Sequence, residues 1–125
     1  MTSPAALADA QFVQLTTFRR DGTGVPTAVW VVPLPGGELG VWTPSGSGKV
    51  KRIRRSGDVT LAVCDRRGTP SGPAVPATAR ILDAAGVRTV RDAVRRKYGL
   101  LGRVLTAISQ RRGAGPAGLA ITLTA

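Results

Sequence analysis

Two glycine-rich turns, Asp21-Gly22-Thr23-Gly24 and Pro33-Leu34-Pro35-Gly36-Gly37, cut the first third of the chain into three short runs. Between such turns a strand can only reverse, because a parallel neighbour needs a helical crossover of a dozen residues or more. The runs have strand periodicity. Phe12 to Arg20 places Val13, Leu15 and Thr17 on one face and Gln14, Thr16 and Phe18 on the other. Val25 to Val32 returns, and Glu38 to Thr43 reverses again, so the spacing predicts an antiparallel meander. Upstream, Ser3-Pro4 before an alanine-rich stretch predicts a capped helix over roughly residues 4–11.

The remainder adds strands and helices to that meander. Lys49 to Arg55 has the length of a short helix with Val50 and Ile53 inward and a cationic outer face. Asp58 to Asp65 alternates as a strand; Ala74 to Leu82 does so too, with Pro76 implying an edge or a bulge. Val87, Val90, Val94, Tyr98, Leu101, Leu105 and Ile108 form one helical apolar stripe, divided at Gly99 and Gly102. Asp92 stands four residues from Arg88 and Arg96, a spacing for ion pairs. After the loop from Arg111 to Gly118, Leu119, Ile121 and Leu123 alternate in a last strand. About six strands with inserted helices predict a mainly β, small antiparallel barrel, since closure removes exposed edges. At 125 residues the chain is read as one domain spanning 1–125.

Composition narrows the chemistry. The chain has no histidine, which excludes Ser-His-Asp and Cys-His catalysis and imidazole metal sites. Its single Cys64 excludes an intrachain disulfide and a multi-thiolate centre, so no metal is expected. The start lacks the pattern of a signal peptide, and no apolar run has membrane-spanning length, so the expected location is cytoplasmic without stable membrane insertion. Net charge is +11, mostly through arginine, which a GC-rich genome also favours.

The segment Val41 to Arg55 carries the one chemical signal. A Walker loop needs glycine at Thr43 and Ser or Thr at Val50; a dinucleotide fingerprint needs glycine at Lys51. Both are rejected. What remains is a strand, a Ser/Gly loop and a helix whose first turn holds Lys49, Lys51 and Arg52. Helix starts bind anions through free N–H groups and the dipole, and cations there oppose the dipole unless an anion is present. The competing reading is a solvated basic helix beside a flexible loop.

Leu15-Thr16-Thr17-Phe18-Arg19-Arg20-Asp21-Gly22, Val25-Pro26-Thr27-Ala28-Val29-Trp30, Val41-Trp42-Thr43 with Ser47-Gly48-Lys49-Val50-Lys51-Arg52, Leu61-Ala62-Val63-Cys64-Asp65 and Arg96-Lys97-Tyr98-Gly99 together resemble the split β-barrel flavin and deazaflavin oxidoreductases, nearest the PPOX-class F420-dependent enzymes. The resemblance implies a six-stranded antiparallel split β-barrel, FMN-binding-like, acting as a homodimer with cofactor at the subunit interface. On this chain it implies phosphate contacts at Thr43, Ser45, Ser47 and Lys49, with Gly48 in the same cofactor-binding segment and Lys51 and Arg52 nearby, and Pro26, Thr27, Ala28 and Val29 flanking the ring. FMN-using relatives carry Arg where Gly48 stands and Lys near Leu34; both are absent, which favours F420, an 8-hydroxy-5-deazaflavin, over FMN.

A cofactor-borne hydride accounts for the missing acid-base residues. Tyr98 on a helical stripe reads as packing before proton donation, Cys64 as a small apolar residue, and Asp65 as a turn former. Trp30 and Trp42 fit a core or a flat ligand equally. The expected function is an F420-dependent oxidoreductase moving a hydride between deazaflavin and a small electron-poor organic substrate. The alternatives are a non-catalytic F420 or FMN carrier, or a basic nucleic-acid-binding barrel; the last is disfavoured by five aromatics and no recognition motif, so no nucleic-acid partner is expected.

Overall fold

A computed structural model describes residues 4–110 and 115–124. Ser3 and most of the loop around Arg111-Arg112 lie outside them. Helix α1 (Pro4–Asp9) is followed by β1 (Phe12–Phe18), β2 (Gly24–Val29), β3 (Val31–Pro33), β4 (Leu39–Pro44), α2 (Gly48–Arg55), β5 (Asp58–Cys64), β6 (Val75–Ile81), α3 (Ala84–Gln110) and β7 (Pro116–Leu123).

The strands form one antiparallel sheet in the order β2-β1-β5-β6-β7-β4-β3. Its two end strands are consecutive in the chain and separated only by Trp30. The sheet therefore curls until its ends meet, which leaves little free edge. The single return strand expected over 25–32 is interrupted at Trp30, so its first half pairs with β1 and its second with β4. β6 lies mid-sheet rather than at an edge. Pro76 is accommodated because its register partner is Thr60 on β5, whereas the β7 ladder begins at Ala77.

Alternation divides the side chains as strand geometry requires. Val13, Leu15, Val41, Leu61, Leu119 and Ile121 fill the barrel, capped by Leu7 from α1 and Ile53 from α2. Burying a leucine such as Leu7, which is inaccessible to solvent, is worth about 2 kcal/mol. A second cluster lies under α3, where Val90, Ala93 and Val94 pack on Val32 with Trp30, Trp42 and Tyr98 alongside. Gly118 on β7 permits this contact: a Cβ there would stand 3.2 Å from the Val87 Cα.

α3 does not run straight. Gly99 has φ 61° and ψ −133°, a conformation open to glycine, and splits the helix into limbs 84–98 and 100–110. The second limb folds back, since a Cβ on Gly102 would stand 2.7 Å from the Val94 carbonyl oxygen, eight residues earlier. Arg95 Nε donates to Thr106 Oγ1 at 3.2 Å across the fold. Asp92 pairs with its neighbour Arg91 at 3.2 Å, not with Arg88 or Arg96 as the helical spacing predicts.

Candidate functional site

β4 ends at Pro44, and the Ser/Gly loop carries the chain into α2 with Ser47 as the cap, its Oγ accepting from Val50 N at 3.4 Å. The start of α2, the β2–β3 junction and the second limb of α3 enclose a cleft of about 420 Å³. Trp30 and Trp42 form its flat apolar walls, brought side by side by the register Val31↔Val41. Leu105, Thr106 and Ile108 close another side.

Lys49 supplies the charge. Its Nζ donates to the buried Thr43 Oγ1 at 3.3 Å, and no carboxylate among the described residues pairs with it. Burial, reinforced by the Arg52 cation, holds the ammonium pKa below its ordinary value. Two buried polar atoms in the same region, Trp42 Nε1 and Ser45 Oγ, have no hydrogen-bond partner among the described residues. An orphaned buried polar group costs about 1–3 kcal/mol, and of these two residues Trp42 lines the cleft together with Lys49.

Other residues singled out from the sequence fall into distinct places. Ala28 and Val29 line the cleft with Thr43 and Lys49. Pro26 and Thr27 line a separate depression of about 120 Å³ with Gln14 and Arg67, and Ala28 lines both it and the cleft. The Thr27 hydroxyl is turned to the Leu15 carbonyl at 3.4 Å. Lys51 is exposed and outside the cleft lining. Arg52 donates through Nε to the buried Thr17 Oγ1 at 2.6 Å. Its guanidinium lies over Gly48, where a Cβ would come 2.7 Å from Nη1. Residue 48 has no side chain, yet a cationic fork covers the helix start there.

Tyr98 is a packing residue that also shapes the cleft wall. Its ring stacks on Trp30 with centroids 4.0 Å apart and planes at 8°. Its hydroxyl donates to the Gln11 carbonyl at 2.8 Å, and burial pushes its pKa up to about 12. Cys64 is buried, and burial together with Asp65 raises its thiol pKa. Asp65 is a turn former whose Oδ1 accepts from Arg67 N and Thr69 N. Sequence reasoning missed Leu105, Thr106 and Ile108 as cleft residues; the one signal was the apolar stripe running on past Gly99 through Leu105 and Ile108.

No protein-family model matches the sequence, and no curated protein is significantly similar to it. Solved structures do share its architecture. A conserved hypothetical protein, Rv2991 of Mycobacterium tuberculosis, superposes with TM-score 0.70 at 21% identity, over 100% of this chain and 82% of that one. The fold is a split β-barrel. It is the pyridoxamine 5′-phosphate oxidase-like form of that barrel. The same barrel occurs in an F420 reductase, with TM-score 0.60, 20% identity and coverage of 100% and 96%. It occurs also in HutZ, the heme storage protein of Vibrio cholerae, with TM-score 0.71, 9% identity and coverage of 95% and 85%. No helix among the described residues is long and apolar enough to cross a membrane.

Proposed function

We propose that the chain is an F420-dependent oxidoreductase that transfers a hydride between the deazaflavin and a small electron-poor organic substrate. The observation that supports this reading is the Lys49 ammonium, without a carboxylate partner among the described residues, lining a Trp-walled cleft to which Trp42, whose Nε1 is buried and unpartnered, also belongs. These groups fit a flat ring joined to a phosphate. When bound, the deazaflavin supplies the hydride. Lys49, Thr43 and Ser45 hold the phosphate, Trp42 Nε1 donates to a ligand acceptor, and Ala28, Val29 and Trp30 flank the ring. The apolar lining of Leu105 and Ile108 keeps water from the ring face. Tyr98 keeps its proton at neutral pH, as a phenol of ordinary pKa also would, and burial extends that protonated range to about 12; its ring orients Trp30 by stacking.

The assembly that goes with this reading is a homodimer in which each cleft is completed across the interface. Sedimentation velocity tests it, and a monomer at micromolar concentration argues against an interfacial site. The cofactor test is titration of purified protein with F420 and with FMN. F420 binds more tightly, and its binding weakens with added salt; an FMN preference overturns the choice of cofactor. The fold of a heme storage protein favours a second reading, a ligand carrier without turnover. Binding of F420 with no oxidation of its reduced form by electron-poor acceptors selects that reading.

A further inference from the structure

One side of the cleft belongs to an element with little apolar anchorage. Leu105, Thr106 and Ile108 line the cleft from the second limb of α3, yet of residues 100–108 only Gly102 and Thr106 are buried. The large apolar side chains of the limb, Leu100, Leu101, Val104, Leu105 and Ile108, are between 41% and 76% exposed, so their burial contributes little to holding it in place. The joint does not hold it either. Gly99 makes the turn with φ 61° and ψ −133°, and a Cβ built there meets nothing within 4 Å. A glycine in open space leaves many backbone angles accessible, so contacts further along the limb must fix its direction.

Gly102 and Thr106 provide such contacts. A Cβ on Gly102 would stand 2.7 Å from the Val94 carbonyl oxygen of the first limb. One turn on, Thr106 is inaccessible to solvent. Its hydroxyl donates to the Gly102 carbonyl at 2.8 Å, and its Oγ1 accepts from Arg95 Nε at 3.2 Å. Donation within its own helix uses the single hydroxyl proton and leaves a lone pair for the guanidinium. Together the two bonds hold χ1 of a β-branched side chain whose neighbours Leu105 and Ile108 line the cleft. Arg95 does not line the cleft itself. It stands on the first limb, which Val90 and Val94 seat on Val32, so it is the fixed partner of the pair.

We infer that Arg95 is a positioning residue for the cleft, holding Thr106 so that the second limb stays folded back and presents Leu105 and Ile108 as one wall. That this wall faces F420 rests on the function proposed above; the hold on the limb does not. A hydrogen bond from a charged donor of this kind shifts the balance between a closed and an open limb about tenfold.

The two tryptophans of the chain, Trp30 and Trp42, both line the cleft, so acrylamide quenching of their emission reads how far the limb covers them without any ligand. Arg95→Met removes the donor and keeps most of the side-chain stem. It raises the quenching constant of the native protein about twofold and speeds F420 dissociation in stopped flow about tenfold. Thr106→Val raises quenching by the same amount, and the double variant goes no further, because both substitutions remove one bond. Arg96→Met, which deletes the adjacent charge but not that bond, stays at the parent value. A purely structural arginine would lower the urea midpoint of Arg95→Met and leave quenching unchanged, which overturns the inference. An equal rise in Arg96→Met also overturns it, by assigning the effect to charge. Failure of the parent to bind F420 overturns the proposed function instead, and the quenching series still decides the role of Arg95.

Discussion

Two partly buried lysines of this chain have opposite surroundings. Lys97 donates to three backbone carbonyls, Ala8 and Ala10 at 2.6 Å and Val31 at 2.7 Å, and so staples α1 to the barrel wall. Lys49 has a single hydroxyl at 3.3 Å and a neighbouring guanidinium that repels it. Burial lowers both pKa values, but only Lys97 is repaid by fixed acceptors, with Asp9 adding a favourable charge. A buried cation with a full set of acceptors stabilises a fold, and one without them is held ready for something the chain does not supply.

Substitution separates the two roles. Lys97→Met leaves three carbonyls without their donor and frees α1; it lowers stability by about 3 kcal/mol in urea unfolding, while any folded fraction retains its affinity for F420. Lys49→Ala does the reverse. It weakens F420 binding roughly 10- to 100-fold by fluorescence titration, with unfolding free energy within about 0.5 kcal/mol of the parent. A stability loss in Lys49→Ala as large as that in Lys97→Met would erase the contrast.

Acidity gives smaller effects. For a lysine with lowered folded pKa, the unfolded state binds more protons between that value and the ordinary 10.5. Stability from Lys49 therefore rises with pH in that window, while affinity for an anionic ligand falls as the ammonium is lost. Affinity measured from neutral to alkaline pH declines before 10.5 in the parent and flattens in Lys49→Ala. Tyr98, the only tyrosine, gives the finest reading: its phenolate absorbance develops near about 12 in the folded protein. Its folded pKa lies above the unfolded value of 10.0, so the stability it contributes is intact below 10.0 and lost as pH rises through about 12.

Much of this was legible beforehand where the physics is local. The strand runs in Phe12–Phe18, Leu39–Pro44 and Asp58–Cys64 follow period-two alternation, and Gly48–Arg55 follows its cap at Ser47. The break at Gly99 was signalled by glycine itself. Residue contacts across the fold were less visible. Arg52 looked like a ligand cation by its place in the first turn, yet Thr17, 35 positions earlier, takes its Nε. Pro26 and Thr27 shared a motif with Ala28 and Val29, but strand alternation and the Arg67 loop set them in another depression. Nothing in the periodicity of residues 87–108 distinguished a stripe that is buried from one that is half exposed.

The sequence by itself determined the antiparallel meander, the basic strand-loop-helix and the exclusion of histidine chemistry, because turns, alternation and residue inventory act over a few neighbours. Tertiary structure decided which lysine was satisfied, that Trp30 and Trp42 share one wall, and that the α3 fold-back turns leucines outward. Those outcomes depend on carbonyls and side chains brought together from distant parts of the chain, and no local pattern encodes their distance.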